Sequence, residues 1–73
     1  MIEPIYRQIG AKIQSVREAL GWKQADLAKR VGLTRTSVTN IEAGRQRLQL
    51  HQIEKFCSAF QTTPKMLLRG VWF

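Results

Sequence analysis

The sequence predicts a compact all-α domain of five helices, on three observations. Apolar residues recur at intervals of three and four along most of the chain, the spacing of one helical face. Two-residue alternation, the mark of a half-buried strand, is absent. Gly, Pro or Thr stands where the periodicity breaks, as helix start and stop chemistry requires.

The first helix is expected from Pro4 to Leu20. Proline suits a first helical position, where its missing N–H has no partner to lose. Ile5, Ile9, Ile13, Val16 and Leu20 form one stripe, and Gly21 fits a left-handed cap. The second helix is expected over Gln24 to Val31, with Leu27, Ala28 and Val31 on one face and Gly32 as its stop. Thr34 is a good N-cap for a third helix over Arg35 to Ala43, which Gly44 ends. A fourth helix spans Leu50 to Phe60, with Ile53, Phe56, Cys57 and Phe60 inward. A short fifth helix starts at Pro64, capped by Thr63, and carries Met66, Leu67 and Leu68.

The length of 73 residues suits one domain, 1–73, with a core thin enough to gain from a partner subunit. No apolar run approaches the ~20 residues of a membrane span. The start, Met1-Ile2-Glu3-Pro4, lacks the basic region and apolar stretch of a secretory signal. One cysteine, Cys57, allows no intrachain disulfide and suits a reducing cytoplasm. At helical spacing with Ile53, Phe56 and Phe60, it is expected to be a small core residue.

Twelve Lys and Arg against five Asp and Glu give a formal charge of +7. Such an excess points to a polyanionic partner, either nucleic acid or an anionic membrane surface, although some basic proteins are merely soluble. The arrangement of the third helix favours nucleic acid. At ~100° per residue, Val38, Ile41 and Ser37 fall on one side, and Arg35, Thr36, Thr39, Asn40 and Ala43 on the other. The outward side carries no acid. It offers a guanidinium, two hydroxyls and a carboxamide, groups that read base edges in a major groove. Arginine can bond guanine O6 and N7 together, asparagine can bond adenine N6 and N7, and a threonine methyl can pack on thymine. The competing reading is a plain solvated face. Two short helices meeting across the tight Gly32 turn, with Ala28 small at their approach and Leu33 beneath the turn, make a helix-turn-helix from Gln24 to Gly44.

The chain resembles the lambda/434-repressor and Cro-type helix-turn-helix family, the XRE family. The resemblance rests on Arg17, Gly21-Trp22-Lys23-Gln24, Leu27-Ala28, Val31-Gly32, Thr34, Ser37-Val38, Ile41-Glu42, Gly44 and the tail Thr63 to Gly70. It covers roughly residues 5–70 and implies a lambda-repressor-like fold. It also implies that Gln24 bonds a DNA phosphate and that Arg35, Thr36 and Asn40 stand at base-reading positions, with Thr39 beside them. Arg17 and Glu42 match a structural ion pair, and Arg45 and Arg47 lie in a loop that touches the backbone. Lys23 departs from the family, which often has Ser or Thr there as a cap, but a lysine can contact a phosphate. Trp22 is bulkier than the usual aliphatic residue.

Lys12, Lys29, Arg30, Lys55 and Lys65 are expected to be ordinary solvated charges. His51 has no second ligand at metal spacing, so no metal is expected. No triad, paired carboxylate or glycine-rich phosphate loop suggests an enzyme or a cofactor. Val71, Trp72 and Phe73, with Phe60, are dimer-interface candidates, or else they cap the monomer's own core. The partners implied are a double-stranded DNA operator and a second copy. The regulator reading carries two alternatives: an antitoxin that binds a protein toxin, and a restriction–modification controller.

Overall fold

The computed structural model describes residues 3–71, and five helices make up its regular structure. They are α1 (Pro4–Ala19), α2 (Gln24–Val31), α3 (Arg35–Glu42), α4 (Leu50–Phe60) and α5 (Pro64–Leu67). No strand occurs among the described residues. The fold is the all-α, five-helix arrangement that the periodicity predicts, with the helix-turn-helix at its centre.

α1 and α2 both pack on α3, while α4 packs on α2 and α5. The core they enclose is centred on Ile13, Leu27, Val31, Val38, Ile41 and Phe56, all essentially without solvent exposure. α3 therefore buries only Val38, Ile41 and Glu42, and the exposed remainder of its short surface is available for other work.

Local chemistry sets each boundary. Thr34 Oγ1 accepts from Ser37 N at 3.0 Å, and Thr63 Oγ1 accepts from Met66 N at 3.2 Å, so both hydroxyls satisfy first-turn donors. Gly32 ends α2 in the left-handed region, at φ 71°, and Leu33 N donates to Ala28 O at 2.9 Å across the turn.

Two boundaries differ from the sequence expectation. Ala43 is the cap of α3 rather than its last residue. Leu20 caps α1 and is 47% exposed, although it continues the apolar stripe. The chain has turned off by then, because Gly21 takes φ 75° and its N–H returns to Glu18 O. The inward row of α1 is Ile9, Gly10, Ile13 and Arg17. Arg17, four residues after Ile13, occupies the buried end of the row.

Candidate nucleic-acid interface

The turn between α2 and α3 is held by a polar chain that begins at Arg17. Its Nε donates to Glu42 Oε2 at 2.7 Å and its Nη2 to Glu42 Oε1 at 3.1 Å, a two-point pairing of planar groups. Nη1 donates to Trp22 O at 2.7 Å, which fixes the loop entering α2. Both residues are buried, at 8% and 6% exposure, and the Glu42 contact raises the Arg17 pKa above its ordinary value. Glu42 is thus an internal anion, neutralised inside the fold.

The chain continues to the surface through Gln24. Its Nε2 donates to Glu42 Oε1 at 3.0 Å, while its Oε1 accepts from the Thr39 hydroxyl at 2.7 Å. The Arg35 carbonyl lies 3.0 Å from the same hydroxyl. Gln24, the first residue of α2, is therefore oriented by two residues of α3. One of its two amide protons is left for another partner. Thr39, half-buried, has its single hydroxyl proton engaged within the fold.

Beside Thr39, Arg35 and Thr36 are exposed and Asn40 is half-buried. Arg35 and Thr36 stand in the first turn of α3 and Asn40 in the second, and no acidic side chain lies among them. Lys23 and Arg45, at the two ends of the motif, are exposed. Arg47 is exposed too, but its Nη2 donates to Glu3 Oε1 at 3.2 Å and its Nε to Glu3 Oε2 at 3.4 Å.

Some of this geometry lies beyond what the sequence pattern predicts. Lys23 cannot cap α2 with its own side chain, yet its N–H donates to Asp26 Oδ2 at 2.9 Å. Asp26 lies three residues on, so half of a capping box does the work, and that spacing could have been read. Gln49 N donates to Gln52 Oε1 at 2.9 Å in the same way at the start of α4. Arg30 is no free charge: its guanidinium lies 4.0 Å from the Trp22 ring centroid. Trp22 in turn stacks on Phe60, with centroids 5.9 Å apart. The Glu3–Arg47 contact spans 44 positions, and no local pattern announces it.

Among the dimer candidates, Phe60 is 9% exposed and packs on Phe56 and Trp22, so most of its ring belongs to the monomer core. Its remaining surface lines a groove of about 420 Å³ with Lys12, Val16, Met66 and Leu67. Val71 is half-buried against the core, and Trp72 and Phe73 lie outside the described residues. No cluster of His, Cys, Asp and Glu suited to a metal ion occurs among the described residues, and no described helix is long and apolar enough to cross a membrane.

A family model described as a helix-turn-helix domain matches residues 8–69. Among solved structures, the restriction-modification controller protein C.AhdI from Aeromonas hydrophila is 31% identical. The match covers 85% of this chain and 90% of that one, with a TM-score of 0.80. A hypothetical transcription factor, NHTF from Neisseria, is also 31% identical, over 88% of this chain and 74% of that one, with a TM-score of 0.81. The controller protein C.Esp1396I, solved as a tetramer with its natural 35 base-pair operator, shares the fold at 21% identity. There the TM-score is 0.82, with 92% of this chain and 88% of that one covered. A comparison with curated proteins returns no match.

Proposed function

The chain belongs to the helix-turn-helix family of DNA-binding regulators, and on that premise we propose that it is a dimeric, sequence-specific transcription regulator, most simply a repressor. The whole chain, 1–73, acts as one DNA-binding domain. α3 enters the major groove, where Arg35, Thr36, Thr39 and Asn40 read base edges. Lys23, Gln24, Arg45 and Arg47 hold phosphates on either side. The observation that carries this reading is the Arg17–Glu42–Gln24–Thr39 chain, which locks an acid-free face of α3 to the first turn of α2.

A two-fold dimer would set two copies of α3 about 34 Å apart, one turn of duplex, on a near-palindromic operator. Repression follows where that operator overlaps a promoter. The groove beside α5, with Met66 58% exposed at its edge and Val71 after it, supports a second copy there. Trp72 and Phe73 extend the same apolar run in sequence.

A restriction–modification controller is the favoured alternative, since C.AhdI matches nearly end to end at 31% identity. That match favours a DNA operator as principal partner over a protein toxin. The test is selection of bound sequences from random duplex DNA, followed by sedimentation of the free and bound protein. Enrichment of a two-fold sequence and two chains per site is the expected result. Recovery of no sequence, with binding lost at moderate salt, would reduce the protein to a non-specific basic binder.

A further inference from the structure

We propose that Glu3 is a built-in competitor of DNA: its carboxylate occupies Arg47 in the free protein and must give way to a phosphate on binding. The inference rests on the proposed role of Arg47 as a phosphate contact.

The contact has the form of a decoy. Glu3 presents Oε1 and Oε2 to Nη2 and Nε of Arg47, at 3.2 and 3.4 Å. That two-point pairing is the one guanidinium groups use for phosphate as well as carboxylate. The Glu3 carboxyl is held below its ordinary pKa, first by its own backbone and then by Arg47, so the competitor is charged. Both side chains are more than half exposed, at 65% for Arg47 and 54% for Glu3. Exposed pairs of this kind are weak and exchange readily, so a phosphate array can displace the carboxylate.

The fold also places the pair at the edge where the duplex backbone is proposed to run. The α1 backbone at Arg7 lies against Gly44, the first residue after the α3 cap, so a Cβ on Gly44 would meet Arg7 Cα at 2.7 Å. The start of α1 and the 44–47 loop are thus one edge, carrying Arg7, Arg45 and Arg47 as cations and Glu3 as an anion. Glu3 is held there by its neighbours. Pro4 confines it to extended backbone, at φ −63° and ψ 146°, and its carbonyl accepts from Tyr6 N at 3.1 Å. On binding, the Glu3 carboxylate loses its cation to a phosphate. Glu3 therefore lowers affinity for every sequence alike and leaves the discrimination to α3.

The experiment measures binding of a random-sequence duplex by the full chain, by Glu3→Gln, by Arg47→Ala and by the double variant. Glu54→Gln, on α4, is the control for net charge. Glu3→Gln is expected to bind about two- to fivefold more tightly, the value of an exposed pair. The gain should vanish in the Arg47→Ala background and be absent in Glu54→Gln. An unchanged or weaker Glu3→Gln overturns the proposal, as does a gain that survives without Arg47 or is matched by Glu54→Gln. If Arg47→Ala alone binds like the parent, the phosphate role of Arg47 falls, and the failure lies in the premise.

Discussion

Thr39 gives its hydroxyl proton to Gln24 Oε1 at 2.7 Å, so a residue on the proposed reading face of α3 fixes the side chain at the start of α2. The proposed reading face and the proposed phosphate contact are mechanically joined at this point. Thr39→Val keeps the shape and removes the bond. It should weaken operator and random DNA together by loosening Gln24, in addition to any loss at one base pair. A double-mutant cycle with Gln24→Ala should give a coupling of roughly 0.5–3 kcal/mol in operator binding. Strict additivity would mean that the two residues act separately on DNA.

The buried pair beneath them makes a different demand. Arg17→Met leaves Glu42 with 6% exposure and no cation, and uncompensated buried charges cost ~3–5 kcal/mol. A domain of 73 residues has a total stability of roughly 4–11 kcal/mol. Arg17→Met should therefore sit near the edge of folding in urea titrations followed by circular dichroism. Adding Glu42→Gln removes the orphaned charge and keeps an amide oxygen for Gln24. Most of the lost stability should return in this double variant. No recovery would show that Arg17 acts through its bond to the Trp22 carbonyl instead.

Gly10 carries the close approach of α1 to the end of α3. A Cβ there would be driven into the carbonyl oxygens of Ile41 and Glu42. Alanine is the better helix former by ~1 kcal/mol, but overpacking against backbone costs ~1–3 kcal/mol and cannot be relieved by a rotamer change. Gly10→Ala should lower the melting temperature and displace α3, so that binding falls even where the chain remains folded. A Gly10→Ala variant with parental stability and parental DNA binding would contradict this packing.

These three cases separate what the sequence shows from what it hides. The helices are legible because each has its own periodicity and its own punctuation, as at Gly21, Gly32, Thr34 and Thr63-Pro64. The acid-free face of α3 is legible for the same reason, since faces follow from spacing within one helix. Gly10 is silent, because a glycine inside a helical pattern does not say which neighbour comes close. Leu20 misleads, because a stripe says nothing of whether the chain turns off it. Trp22, Arg30 and Phe60 form one stack drawn from three separate stretches. The engagement of Gln24 by Glu42 and Thr39 is likewise a tertiary fact, produced by the crossing of α2 and α3.

Cys57 supplies a pH-dependent prediction. It is 3% exposed, and burial pushes its thiol pKa up, with Glu54 adding to the shift. The folded state then keeps a proton that the unfolded state has lost. Stability is unaffected below the ordinary thiol value of about 8.5 and declines as pH climbs from there toward the raised native value. Melting curves at pH 7 and pH 10 should show a larger alkaline loss for the parent than for Cys57→Ala. Iodoacetamide should label the native protein slowly and the denatured protein fast. Equal alkaline losses in the two proteins would show that the Cys57 thiol does not govern the alkaline limb.

Arg35 is the sharpest test of the reading face. It opens α3, is exposed, and has a five-donor fork that can take guanine O6 and N7 together. If it reads a base, Arg35→Ala should cost ~1–3 kcal/mol on the selected operator and relax the preference at one base pair. Lys23→Ala and Arg45→Ala, as phosphate ligands, should instead weaken all sequences alike. Each should also flatten the slope of log affinity against log salt by about 1, because one phosphate is no longer neutralised. Titrations of operator and random duplex at several salt concentrations separate the two patterns. Arg35 leaves the reading set if its alanine variant keeps the parental ratio between operator and random DNA. Thr36 and Asn40, its neighbours on the face, would then carry the discrimination.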